Sequence, residues 1–148
     1  MIIRPATDDD ALAIMEGLQD FRSRMAFAGL MPESWDAGVE AVAGVLALDG
    51  VSVTVAERDG RVVGMIAMCY LPFLWDRERL MAEELFWWAA PDAPKSAALR
   101  LIRAALREAK ARGAIAIFKR LTSSPEKLRS VYERCGLVEM ETTYAGVF

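Results

Sequence analysis

The stretch EELFWWAAPDAPKSAALRLIRAALREAKARG, residues 83–113, changes its period partway along. Its first part, through Ala90, is an apolar and aromatic run with the composition of a strand. From Ser96 to Arg112, Ala98, Leu101, Ile102, Ala105 and Ala109 recur at helical spacing, while Arg100, Arg103, Arg107 and Lys110 fill the opposite side. Gly113 suits the helix C-terminus. The run AIAIF (114–118) follows as a buried strand, so strand, helix and strand alternate and the chain is an α/β protein. The connection PDAPKSAAL (91–99) sits where many enzymes hold phosphate, yet it contains no glycine.

Upstream of this unit, IIRP is a short strand stopped by Pro5, and Thr7 with Asp10 forms a capping-box pattern. Ala11, Ile14, Met15, Leu18, Phe21 and Met25 predict a first helix ending near Gly29. Val39, Val42, Ala43 and Leu46 mark a second helix, stopped at Asp49-Gly50. VSVTVAE, the turn RDGR and VVGMIAMCY predict a hairpin over 51–70, followed by a loop from Leu71 to Arg79 and a strand at 80–90. Downstream, SSPEKLRSVYERC is a helix with Pro125 in its first turn, and LVEMETTYAGVF a last extended segment. The predicted order is β-α-α-β-β-β-α-β-α-β, a mixed sheet flanked by helices.

The length, 148 residues, suits one domain spanning 1–148. A hydrophobic fraction of 54% excludes general disorder, and no apolar run is long enough to cross a membrane. The start, MIIRPATDDD, lacks a signal-peptide layout, so a cytoplasmic location is expected. With 18 basic and 21 acidic residues the net charge is −3, which offers no global attraction to nucleic acid or anionic membrane. Two cysteines, Cys69 and Cys135, are too few for a disulfide framework or a four-cysteine zinc site. Histidine is absent, which removes Ser-His-Asp and Cys-His catalysis and every histidine-ligated metal site. Any acid or base is therefore Asp, Glu, Tyr, Lys or Cys, and no metal is expected.

The order of elements, with IIRPATDDDALAI, VAERDGRVVGMIAM and VYERCGLVEMETTY at its start, centre and end, resembles the GNAT superfamily of acetyl-coenzyme A-dependent N-acyltransferases. That resemblance implies a sheet whose fourth and fifth strands splay apart around the pantetheine arm of acetyl-CoA. It puts the unpaired backbone groups at Trp87, Trp88 and Ala89, and the pyrophosphate at the helix start formed by Lys95, Ser96, Ala97, Ala98 and Leu99. The family motif R/Q-x-x-G-x-G/A matches there only at Ala98; Ala93 and Ser96 stand at the Arg/Gln and first glycine positions. A phosphate cradle needs unpaired N–H groups at a helix N-terminus, and glycine only where φ is positive or the ligand touches the backbone. Ser96, Ala97 and Ala98 are small substitutes, with Lys95 adding charge; an ordinary helix start capped by Ser96 is the competing reading.

Direct acetyl transfer to an amine requires a base for the amine and a proton for the departing thiolate. Glu83 and Glu84 stand side by side on a strand, so alternation sends them to opposite faces. By the resemblance, counted back from Pro91, Glu83 takes the position of the family's catalytic glutamate, with Glu84 in reserve, and Tyr132 matches the tyrosine that protonates the coenzyme A thiolate. The bland alternatives are a structural ion pair and a core aromatic. Arg100 and Arg103 approach a phosphate from the same helix or simply face solvent. The resemblance places the acceptor, a small-molecule or protein amine, among the first two helices and the loop before the fourth strand. Phe21, Met25, Phe27, Met31, Trp35, Phe73 and Trp75 make these regions apolar, which favours an apolar acceptor or a homodimer surface. A nucleic-acid base as acceptor is disfavoured by the net charge, and a binding or regulatory protein without turnover is the reading from a different class.

Overall fold

A computed structural model describes residues 1–23, 34–119 and 127–140. A five-stranded sheet runs β1 (Ile2–Pro5), β2 (Val51–Arg58), β3 (Arg61–Phe73), β4 (Asp76–Ala89) and β5 (Ile115–Ile117) in spatial as well as chain order. The first four strands are antiparallel and β5 joins β4 in parallel. Helices α1 (Ala11–Arg22) and α2 (Trp35–Leu46) connect β1 to β2; α3 (Ala97–Ala111) connects β4 to β5; α4 (Lys127–Arg134) follows β5. The sheet thus separates two apolar layers. Ile14, Met15, Leu18 and Val42 pack with Val55, Met65 and Trp88 on one face. Leu101, Ile102, Ala105 and Ala109 pack with Val63, Ile66, Met68 and Ala82 on the other.

Local chemistry explains most of the junctions. The Thr7 amide and hydroxyl both reach Asp10 Oδ2, at 2.8 and 3.2 Å, in the predicted capping pattern. The same carboxylate takes two bonds from the Arg4 guanidinium, whose Nε binds Glu57, so β1, β2 and the entry to α1 are tied at one cation. That pairing holds Asp10 down to about 2. The turn between β2 and β3 uses Asp59 and Gly60 at φ 52° and 76°, which the turn type joining two twisted strands requires. Gly17 lets α1 lie directly on the sheet: a Cβ there would stand 2.8 Å from the Trp88 ring and 2.9 Å from Met65 Cε.

Two expectations are corrected. Residues 71–79 are largely strand rather than loop, with β3 reaching Phe73 and β4 starting at Asp76 around Leu74-Trp75. Pro72 is tolerated because β2 reaches only to Cys69, so β3 beyond that point has β4 as its sole strand neighbour among the described residues. The hairpin tip leaves Trp75 83% exposed. Helix α1 closes at Arg22, short of Gly29; Met25, Phe27 and Met31 lie outside the described residues, as does Pro125. Residues 137–140 form no strand, and the remainder of the expected last strand is also outside the described residues.

Candidate active site

Two features of β4 create the site. Its pairing with β5 covers only Met81, Ala82 and Glu83, so from Glu84 to Ala89 the edge of β4 faces no strand on that side among the described residues. At the same point the register to β3 slips: Met68 opposes Glu84 and Ala67 opposes Phe86, leaving Leu85 as a bulge. The bulge resets the alternation. Ala82 and Glu84 lie on the α3/α4 face before it and Trp87 after it, whereas Glu83, Phe86 and Trp88 take the α1/α2 face.

Around this opening the structure brings together three sequence-predicted residues and one that sequence reasoning missed. The Tyr132 hydroxyl lies 3.0 Å from the Lys119 carbonyl and 3.5 Å from Glu84 Oε2. The Lys119 amide donates to the same carboxyl oxygen at 3.3 Å. The Lys119 ammonium pairs with Glu83, so a single lysine just after β5 touches both glutamates and the tyrosine. Phe118, in tilted ring contact with Tyr132 at 5.7 Å, steadies the phenol. Lys119 carries no motif of its own; only its place two residues past a strand paired with β4 reveals it.

The two glutamates differ in setting. Glu84 is 6% exposed, and burial pushes its carboxyl up to about 7, against the opposing pull of the Lys119 amide, the Lys119 charge and the Tyr132 hydroxyl. Glu83 is half-buried on the other face, in its ion pair. A buried carboxyl that titrates near neutrality and an ion-paired carboxylate are therefore consecutive on β4, one on each face.

Of the remaining predicted residues, Trp88 is buried and donates its indole N–H to Asp20 on α1 at 2.6 Å. The Trp87 indole nitrogen is buried without a hydrogen-bond partner among the described residues. Helix α3 begins as expected, with Ser96 at its N-cap, but the serine side chain makes no capping bond. The Ala97 amide is taken by Pro94 and the Arg100 amide by Ser96, while no backbone acceptor within the described residues meets the amides of Ser96, Ala98 and Leu99. Lys95 and Ser96 are exposed beside them, Ala97 is buried, and Ala98 and Leu99 are half-buried. Small side chains at this helix start thus leave N–H groups open to an anion, without any positive φ at 91–99. Arg100 donates to the Met1 carbonyl, and Arg103 is exposed. Cys69 and Cys135 are half-buried free thiols, and no described group of acidic or cysteine residues gathers as a metal site.

On the α1/α2 face a cavity of about 120 Å³ is lined wholly by apolar residues, among them Met15, Leu18, Val42, Val45 and Phe86. Gly38 contributes by leaving room for the Met15 side chain, whose Sδ would stand 2.7 Å from a Cβ at that position. Phe21 and Trp35 pack at the margin of the same core. No described helix is long and apolar enough to cross a membrane.

A mixed sheet opened between its fourth and fifth strands, with a helix N-terminus after the fourth, defines an acyltransferase-type α/β fold. The chain belongs to the acetyltransferase (GNAT) family, whose model matches residues 16–137. Solved structures agree on the fold. A transcriptional regulator from Bacillus halodurans C-125 superposes with a TM-score of 0.81 at 23% identity, over 99% of both chains. A ribosomal-protein-alanine N-acetyltransferase from Brucella melitensis biovar Abortus 2308 gives 0.75 at 18% identity, over 100% of both. An acetyltransferase from Trypanosoma brucei gives 0.77 at 18%, over 99% of both. No curated protein matches the sequence significantly.

Proposed function

We propose that the protein transfers an acetyl group from acetyl-CoA directly to the primary amine of a small molecule or protein, with no metal. The observation that carries this reading is the open edge of β4 from Glu84 to Ala89 beside the Tyr132 hydroxyl. Of Trp87, Trp88 and Ala89, the backbone groups of Trp87 and Ala89 alternate onto that edge, while those of Trp88 turn to β3 with Ala90, and the outward pair is suited to the pantetheine arm and thioester carbonyl. The free amides of Ser96, Ala98 and Leu99, helped by Lys95, are suited to the pyrophosphate. Tyr132 gives a proton to the leaving thiolate, and Glu83, on the face that also carries the apolar cavity, takes one from the amine. The cavity favours an acceptor with an apolar group: its volume approaches that of cavities that stay dry and take up a benzene-sized molecule, ~150 Å³.

Calorimetry with acetyl-CoA, followed by thiol release across a panel of amines, tests the reading. Binding and release with at least one amine are expected. Absence of any stabilisation at millimolar acetyl-CoA removes it. Binding without release from any amine would favour the second reading, a regulatory protein that keeps the fold, for which the glycine-free helix start is the motivating feature.

A further inference from the structure

We infer that Glu84 is the proton source behind Tyr132: its buried carboxyl donates to the tyrosine hydroxyl and refills it after the hydroxyl has protonated the thiolate. This role rests on the acetyl-transfer reading above and adds a residue to it. The geometry sets the direction of the bonds. A hydroxyl carries one hydrogen and can accept others. Tyr132 lies at 3.0 Å from the Lys119 carbonyl, which only accepts, so the phenolic hydrogen points there at rest. The phenol can donate to Glu84 Oε2, 3.5 Å away, when that carboxyl is ionised; when the carboxyl is protonated, its own hydrogen makes the contact and the phenol accepts. Glu84 is buried on the α3/α4 face, and the Lys119 ammonium, the cation that acts on it among the described residues, is paired with Glu83. Lys119 and Tyr132 are the titratable groups that face it among the described residues, with Glu83 on the opposite face of β4. Burial favours the neutral acid that the donor role requires, and Glu84 accordingly titrates near neutrality.

The proton count closes over a cycle. When the carbon–sulfur bond of the thioester breaks, the thiolate takes the Tyr132 hydrogen; the phenolate takes the Glu84 hydrogen; and the carboxylate so formed is held by the Lys119 amide already directed at it. Water entering the cleft between turnovers returns a proton to Glu84, equal in number to the one the amine has given up. Glu84 acts through Tyr132 and touches no reacting atom, so it is a positioning residue.

Glu84→Gln in the full chain is the test, because glutamine keeps the shape and can still accept from the Lys119 amide. With acetyl-CoA and a saturating amine, kcat is expected to fall at least about tenfold with KM for acetyl-CoA little changed. The wild-type decline of kcat above about pH 7, where Glu84 ionises, is expected to vanish in the variant. Glu84→Gln combined with Tyr132→Phe should be no slower than Tyr132→Phe alone, since both act on one proton. Infrared difference spectra between pH 6 and 9 should show a protonated carboxyl that Glu84→Gln lacks, a readout independent of turnover. Wild-type kcat and pH profile in Glu84→Gln, or no such carboxyl signal, would overturn the relay while leaving acetyl transfer intact. Failure of the wild type to bind acetyl-CoA would instead remove the transfer reading, and the relay with it.

Discussion

Replacing Glu84 by glutamine also makes a stability prediction that needs no substrate. The wild-type carboxyl titrates at about 7 in the folded protein against an ordinary 4.5, because burial opposes its charge. Between those pH values the folded chain holds a proton that the unfolded chain has released, so stability falls as pH rises. The contribution is complete below pH 4.5 and is lost as pH climbs through 7. At 1.36 kcal/mol per pH unit, the gap amounts to about 3 kcal/mol. Glutamine does not titrate, and every other ionisable group is shared, so the difference between the two proteins isolates this carboxyl. Urea unfolding of both from pH 4 to pH 8 should show Glu84→Gln gaining about 3 kcal/mol on the wild type between pH 4.5 and 7, then no more. Parallel stability curves across that window would refute the assignment of a buried, neutral acid.

Asp10 has the opposite sign: held down to about 2 by Arg4, it contributes fully above 3.8 and is lost as pH falls through 2. Asp10→Asn should therefore cost about 2 kcal/mol in urea unfolding at pH 7, and the deficit should shrink towards pH 2. Gly17→Ala gains about 1 kcal/mol of helix propensity, but its Cβ would meet the Trp88 ring at 2.8 Å, and overpacking of about 1–3 kcal/mol should win in the same assay. Ser96→Pro removes one free amide and Lys95→Glu reverses a nearby charge; each should weaken acetyl-CoA binding by about tenfold in calorimetry, and unchanged affinity in both would place the phosphates elsewhere. Val42→Phe, which fills the apolar cavity, should raise KM for an apolar amine at least about tenfold while leaving acetyl-CoA affinity alone; equal KM values would mark the cavity as packing only.

The parts of the fold that were legible in the sequence are those set by local pattern. Helix α3 combines a clean apolar stripe with Gly113 at φ 67°, and the β2–β3 turn carries Asp-Gly at the two positions that need positive φ. The stretch 71–79 failed because Pro72 and the charged run after Trp75 have loop composition, and what permits a strand there is non-local: β2 ends early and frees one side of β3. Helix α1 likewise ends at Arg22 although its apolar spacing continues to Met25 in the sequence. The start of α3 with Ser96 at its N-cap was legible, since small residues after a proline-containing turn mark a helix start locally.

The glutamate pair shows where local reading stops. Alternation separates Glu83 from Glu84, and the structure agrees, but alternation is silent on which of the two is desolvated. That depends on Lys119 and Tyr132, 35 and 48 residues further along: the Lys119 amide and the Tyr132 hydroxyl lie against Glu84, while the Lys119 ammonium goes to Glu83. It also depends on the bulge at Leu85, without which Phe86 would follow Glu84 onto the α3/α4 face and Trp87 would leave it. The same slip brings Phe86 to the face of Glu83, beside the apolar cavity. One extra residue in β4 therefore arranges both halves of the proposed chemistry, an acid–phenol pair towards α4 and a carboxylate with an apolar pocket towards α1 and α2.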